Sequence, residues 1–201
     1  MRRRRKFLGA IVDMACSYRG HCLIAAPHLR DPNFYKTVVL IADHGSQGAM
    51  GLVINRPSTV LVSHALSKHF DMPECHDLVY MGGPVEPLAL FILHNACDLA
   101  HNEASIRPGI YLGNSGEVFE EVIQRSMASQ PGLCYRVFSG CAGWAPGQLE
   151  DEISRGDWYL RTACCESVFQ DDPYEAYEWM LKRVHEEHRL LPDPNIDPQW
   201  N

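Results

Sequence analysis

The sequence predicts a single α+β domain whose sheet is at least partly antiparallel and covered by helices. Three observations point there. Several short apolar runs stop abruptly at turn residues, as strands buried on both faces do. Two of these runs are joined by a Gly-containing loop, the mark of a hairpin. Segments with apolar residues at helical spacing lie between and after the runs.

The elements follow in order. Residues 22–26 form the first run and stop at Pro27. Residues 37–42 stop at Asp43, His44 and Gly45, and residues 49–54 stop at Asn55, Arg56 and Pro57. These two form the hairpin. Residues 88–93 end at His94 and Asn95, while 110–112 and 133–138 are shorter or more mixed. A helix is expected over 60–70, from Leu61, Ala65, Leu66 and Phe70, and another over 117–127, from Val118, Val122, Ile123 and Met127. A third runs over 146–155, stops at Gly156, turns Leu149 and Ile153 inward and allows Asp151 to pair with Arg155. The last starts at Asp172 as N-cap with Pro173 at the first position, and carries Tyr177, Met180, Leu181 and Val184 inward. A basic extension (1–15), one folded domain (16–190) and a Pro-rich tail (191–201) complete the organisation.

Composition excludes several classes. The 201 residues are 46% hydrophobic and 21% charged, enough to bury a core without staples. No run approaches the roughly 18 apolar residues of a membrane span. The net charge is −7, but Arg2, Arg3, Arg4, Arg5 and Lys6 carry +5, so the body is strongly acidic. Such a body repels a phosphate backbone, which disfavours DNA binding except through the basic run. That run resembles the start of an export signal, yet Asp13 interrupts the apolar stretch after six residues. The protein is therefore expected to be cytoplasmic, its eight cysteines mostly small buried hydrophobes rather than disulfides. No Cys-x-x-Cys pair occurs. Cys97 with His101, and His185 with His188, do not make a zinc site, so neither metal nor cofactor is expected. Vicinal Cys164 and Cys165, read as strand residues, point to opposite faces.

Chemistry concentrates at the strand ends. Asp43, His44, Asn55, Arg56, His94, Asn95, Ser139 and Gly140 all follow apolar runs, and such ends can share a crevice. There Arg56 would be a fork for a carboxylate or phosphate. The same residue types also serve as plain turns and caps, and antiparallel neighbours end on opposite edges. Gly82 and Gly83 form a tight turn whose N–H groups could face an anion. Glu150, Asp151 and Glu152 suit a helix N-terminus through the dipole alone. No nucleophile elbow, phosphate loop, dinucleotide fingerprint or zincin motif is present.

Five ordered blocks resemble the YqgE/AlgH family. The first runs from Leu23 through Pro27, His28, Asp31 and Pro32 to Phe34. The second runs from Gly48 through Gly51, Asn55 and Arg56 to Pro57. Gly82-Gly83-Pro84-Val85 and Phe91-Ile92-Leu93-His94 follow. The last runs from Gly140 through Gly143, Trp144, Pro146 and Gln148 to Glu150, and closes with Glu152 and Trp158. The family commonly has tyrosine where this chain has Cys141. The resemblance implies a mixed, largely antiparallel, bifurcated or barrel-like sheet surrounded by helices. The family has no established biochemical activity, although members are labelled transcriptional regulators. Asp31, Asn55, Arg56, Gly82, Gly83, His94, Trp144, Gln148 and Glu150 fall inside the blocks and form the candidate ligand-binding set.

Three readings stay open. In the first, the protein is a regulatory or binding protein that recognises a small anionic ligand or a protein partner. In the second, it is an enzyme, such as a hydrolase, with His94 as general base and Arg56 holding an anionic substrate; Asp31 or Glu150 would then orient His94. In the third, the basic run contacts DNA directly.

Overall fold

The computed structural model describes residues 17–68, 75–99 and 105–190. The strands are β1 (His21–Ala25), β2 (Val38–Gly45), β3 (Gly48–Val53), β4 (Pro57–Leu61), β5 (Leu78–Met81), β6 (Val85–His94), β7 (Tyr111–Gly113), β8 (Tyr135–Trp144) and β9 (Trp158–Thr162). The helices are α1 (Val62–Leu66), α2 (Gly116–Met127), α3 (Gln148–Ser154), α4 (Cys165–Val168) and α5 (Ala176–Leu190).

The sheet runs β4-β5-β8-β3-β2-β1-β9, and β6 adds to β8 and carries β7 on a branch. All pairings are antiparallel except β5 with β8. The expected hairpin is β2–β3, with Leu40 opposite Leu52. Neither end strand, β4 or β9, pairs with the other, so the sheet is open and takes the bifurcated form.

The fork lies at the middle of β8. Residues before Gly140 pair with β5 and β6; after it Cys141 still pairs with Val85 of β6, and Ala142, Gly143 and Trp144 pair with β3. Gly140 has φ +72°, which turns the strand there. Gly82 joins the two branches: its N–H donates to the Ser139 carbonyl, and its own carbonyl accepts from the Val53 N–H, both at 2.9 Å. A Cβ on Gly82 would lie 2.2 Å from the Gly140 carbonyl oxygen. The Gly82-Gly83 turn is thus a close backbone crossing.

Two cores flank the fork. One packs β1, β2 and β9 against α5, whose Tyr177, Met180 and Val184 are buried as its periodicity predicts. The other lies under α2, where Val118, Phe119, Val122 and Ile123 are buried beside Ile92 and Val137. Each such side chain contributes about 1.5–3 kcal/mol. The N-cap Ser115 accepts from the Val118 N–H at 3.3 Å, which starts α2 one residue before the expected span.

Several expectations are corrected. Where a helix over 60–70 was expected, β4 pairs with β5 as far as Leu61 and the helix is the short α1. β-branched Thr59 and Val60 favour that pairing over a helical first turn. α3 begins at Gln148 behind Gly147, not at Pro146, and Arg155 pairs with Asp157 at 2.8 Å, not with Asp151. α5 begins at Ala176; Asp172 caps the preceding turn by accepting from the N–H groups of Tyr174 and Glu175. Cys164 and Cys165 are not on a strand: Cys164 is the N-cap of α4, where its thiol meets the Ser167 hydroxyl. The basic run, His101 and the tail lie outside the described residues, as does the His188 side chain.

All seven cysteines among the described residues are free. Burial pushes the Cys22 thiol up to about 12, with nearby Cys164 adding to the effect. Alkylation of the native protein should therefore modify exposed Cys97, Cys134 and Cys164 first and spare buried Cys22 and Cys141 until unfolding. Peptide mass mapping reads the order. Cys22 reacting as fast as Cys164 would show that β1 is less protected than its packing requires.

Candidate functional site

The first block of the resemblance folds into a turn. The Asp31 carboxylate accepts from the Asn33 N–H at 2.7 Å, and the Asp31 carbonyl accepts from the N–H groups of Phe34 and Tyr35. This turn leaves carbonyls without backbone partners, and Arg56 collects them. Its guanidinium donates to the carbonyls of Asn33 at 2.7 Å, Tyr35 at 3.1 Å and Pro32 at 3.2 Å. The preceding Asn55 accepts from the Val38 N–H at 2.9 Å and donates to the Lys36 carbonyl at 3.0 Å, completing the start of β2 as a strand partner would. Asp31, Asn55 and Arg56 therefore come together, as a staple between the turn and β2–β3. Burial lowers the Arg56 pKa and Asp31 opposes that, yet a guanidinium stays charged at neutral pH.

Arg56 is not spent. A guanidinium has five N–H groups, and only three carbonyls take them here. It lines a groove of about 380 Å³ with Lys36, Asn55, Pro57, Met81, Tyr174, Tyr177 and Glu178. Lys36 holds a left-handed backbone, φ +53°, rare for a non-glycine residue. Its ammonium sits 2.9 Å from Glu178 Oε1 and 5.8 Å from the centroid of the Tyr177 ring. The hydrogen bond that Lys36 donates to Glu178 raises the Lys36 pKa, so the ammonium stays charged. Tyr177 is fixed by donating its hydroxyl proton to the Ala25 carbonyl at 2.9 Å, while Tyr174 is 74% exposed. Sequence reasoning missed Lys36, Tyr174, Tyr177 and Glu178 as site residues. Their one common signal is a mix of charge and tyrosine near a strand start and a helix start, which many solvated surfaces share.

The last block builds a different cluster. Trp144 and Trp158 both donate their indole N–H to Glu152 Oε2 at 2.9 Å, and Gln148 donates to Oε1 at 2.9 Å. Gln148 in turn accepts from the Ala145 N–H, which ties α3 to the end of β8. Phe34 stacks on Trp144 and meets the edge of Trp158. Glu150 belongs elsewhere. It accepts from His44 Nε2 at 2.8 Å, because His44 Nδ1 is occupied in accepting from the Tyr18 N–H.

His94 does not join Arg56. It ends β6, is fully buried, stacks on Tyr111 and does not line the Arg56 groove. Asp31 and Glu150, its two imagined orienting acids, are engaged in the turn and with His44. Neither His94 ring nitrogen has a well-formed hydrogen bond among the described residues. Burial lowers its pKa, and the Ala96 backbone and Asp98 only partly oppose this. The folded state therefore binds fewer protons at His94 than the unfolded chain, whose imidazole titrates near about 6.5. Stability contributed this way is present above about pH 6.5 and is lost as pH falls towards the lowered folded value. The His94→Leu variant is expected to melt no lower than wild type at neutral pH and to show a flatter melting curve from about pH 7 to 5. An unchanged slope in that window would assign the acid sensitivity to other groups.

Gly82 and Gly83 sit at the fork, as described. Among the described residues, no group of three or more His, Cys, Asp or Glu side chains could hold a metal ion. No described helix is long and apolar enough to cross a membrane.

Comparison with known proteins agrees with this architecture. The AlgH-like family model matches residues 22–189. A UPF0301 protein of Chlorobaculum tepidum is 35% identical over 164 residues, covering 82% of this chain and 83% of its own. A UPF0301 protein of Myxococcus xanthus is 34% identical over 172 residues, covering 84% and 92%. The solution structure of the AlgH protein from Pseudomonas aeruginosa superposes with a TM-score of 0.68 at 29% identity, covering 90% of this chain and 97% of that one. A crystal structure from Corynebacterium diphtheriae gives 0.66 at 26% identity, covering 87% of each. The chain belongs to the AlgH-like, UPF0301 family.

Proposed function

We propose that this protein is a regulatory binding protein of the cytoplasm that takes a small organic anion in the Arg56 groove. The observation that carries this reading is that Lys36 and Arg56 bring two positive charges into one open groove beside two tyrosines. Arg56 offers N–H groups beyond those used by the turn, and an anionic head can accept from them. Lys36 supplies a second charge, and its exchange of Glu178 for a ligand costs little because that pair is solvent-exposed. Pro57, Met81 and Tyr174 offer apolar and aromatic surface for the rest of the ligand. The acidic body favours regulation through such a ligand over direct contact with DNA.

A thermal-shift screen against phosphate esters, organic carboxylates and nucleotides tests the reading. Ligand at about 100 times its Kd adds about 2.7 kcal/mol, a shift of roughly 5–11 °C for a domain this size. The shift should vanish in Lys36→Ala and shrink in Tyr174→Ala, neither of which touches the staple from Arg56. A flat screen, or hits undiminished in Lys36→Ala, would count against it.

A further inference from the structure

A bulge in β6 presents an acid and a leucine to solvent. Val85 pairs with Cys141 and Leu90 with Ser139, so residues 86–89 stand out of the ladder opposite Gly140 alone. The bulge is held in one shape. The Ser139 hydroxyl donates to the Pro87 carbonyl. The Gly140 backbone packs so close that a Cβ on it would lie 3.0 Å from the Val85 carbonyl oxygen and 3.2 Å from Pro87 Cα. Glu86 has φ +47°, a conformation that non-glycine residues rarely adopt.

What this bulge holds out finds no partner in its own chain. Leu88 is 94% exposed. The Glu86 carboxylate enters no hydrogen bond or ion pair among the described residues. The Arg56 groove has the complementary chemistry, two cations beside Pro57, Met81 and Tyr174, and the bulge of the same chain does not line it. Yet bulge and groove are neighbours. Ser139 of β8 pairs with Met81 on one side and Leu90 on the other, a separation of two strand spacings, or about 10 Å. Seven large apolar side chains are exposed among the described residues, and four of them, Met81, Val85, Leu88 and Tyr174, belong to the groove or to the start and tip of the bulge. Exposure gathered in this way marks a contact surface, whereas single scattered side chains do not.

We propose that the groove receives the bulge of a second copy of this chain, in a reciprocal dimer. Glu86 of one copy meets Lys36 and Arg56 of the other, and Leu88 meets Pro57, Met81 and Tyr174. This rests on the reading of the groove as an anion site, and it names a carboxylate of the protein itself as an anion the groove takes. A two-fold contact requires one patch to carry both complementary elements, and this patch carries both. The fixed shape of the bulge lowers the entropy lost on docking. The opposite charges favour the pairing and make it sensitive to salt. Bulge and small anion exclude each other from the groove, so the ligand of the preceding section would release monomers.

The test is sedimentation velocity of the full-length protein over a range of concentrations. Monomer in dilute solution and dimer at high concentration are expected, with the dimer weakened by added salt. Leu88→Ser and Glu86→Lys should each weaken it at least tenfold without lowering the melting temperature, since both side chains are exposed. Lys36→Glu should do the same. An equimolar mixture of Glu86→Lys with Lys36→Glu should associate again, because each mismatched bulge then faces a groove of the opposite change. A dimer that Leu88→Ser and Glu86→Lys leave intact, or a mixture no tighter than either variant alone, would overturn the proposal. Phenyl phosphate, titrated into the dilute monomer, reports on the groove separately. If it binds a protein that stays monomeric at every concentration, the anion site stands and the pairing is overturned. If the dimer forms and responds to the variants as expected while phenyl phosphate does not bind, the pairing stands and the small-anion reading fails.

Discussion

Replacing Gly83 with alanine is expected to cost at least about 4 kcal/mol and to leave little folded protein at physiological temperature. An added Cβ would lie 2.3 Å from the carbonyl carbon and oxygen of Cys141 and 2.4 Å from the Ala142 nitrogen. All three are backbone atoms of β8, which cannot rotate away as a side chain can. The φ of +153° at Gly83 adds strain for any residue with a Cβ. Relief would mean separating the turn from β8 at the point where both branches of the sheet meet. Gly132 is the control. Its φ of +77° is also left-handed, but a Cβ there meets nothing within 4 Å. Gly132→Ala should cost only about 1–2 kcal/mol, the left-handed penalty alone. Urea melts of the two variants read the difference. Similar midpoints would mean that the fork tolerates a side chain, and that its glycines serve something other than close approach.

The second large effect is expected at Glu152. Removing its carboxylate in Glu152→Ala deprives two buried indole N–H groups of their acceptor and frees Gln148. Each orphaned buried donor costs about 1–3 kcal/mol, so a loss of about 3–4 kcal/mol is expected. Glu152→Gln should lose less. Its one amide oxygen can still serve both tryptophans, at the expense of setting its NH₂ against that of Gln148. Urea unfolding followed by tryptophan fluorescence measures both variants. If Glu152→Ala unfolds at the wild-type midpoint, the tryptophans are held by packing with Phe34 and not by the shared carboxylate.

The elements that were legible in the sequence carry their own signal. β2 and β3 are contiguous apolar runs around a glycine turn, and α5 keeps a helical period through Tyr177, Met180 and Val184. β5 and β9 carry none. Leu78–Met81 is four residues long, and Trp158–Thr162 is broken by Arg161; both owe their strand form to partners distant in sequence. The second half of β8 was missed because 140–143 is small residues, present for the crossing with Gly82 and Gly83 rather than for strand propensity. Site residues follow the same rule. Asn55 and Arg56 stood out as polar residues after an apolar run, and they do act together. Whether the donors of an arginine face a ligand or the carbonyls of its own chain depends on the turn at 31–35, which packs against it only in the fold. His94 ended a run in the same way, yet β6 lies on the far branch and buries it against Tyr111. The backbone of Lys36 leaves no mark on composition or period.

The decisive experiment for the Arg56 groove is a titration of ¹⁵N-labelled protein with phenyl phosphate, which joins an anionic head to an aromatic ring. Saturable amide shifts confined to Lys36, Asn55, Arg56, Met81 and residues 174–178 are expected. They should disappear in Lys36→Ala while its melting temperature stays at the wild-type value. Absence of saturable shifts, or shifts that persist unchanged in Lys36→Ala, would contradict an anion site in this groove.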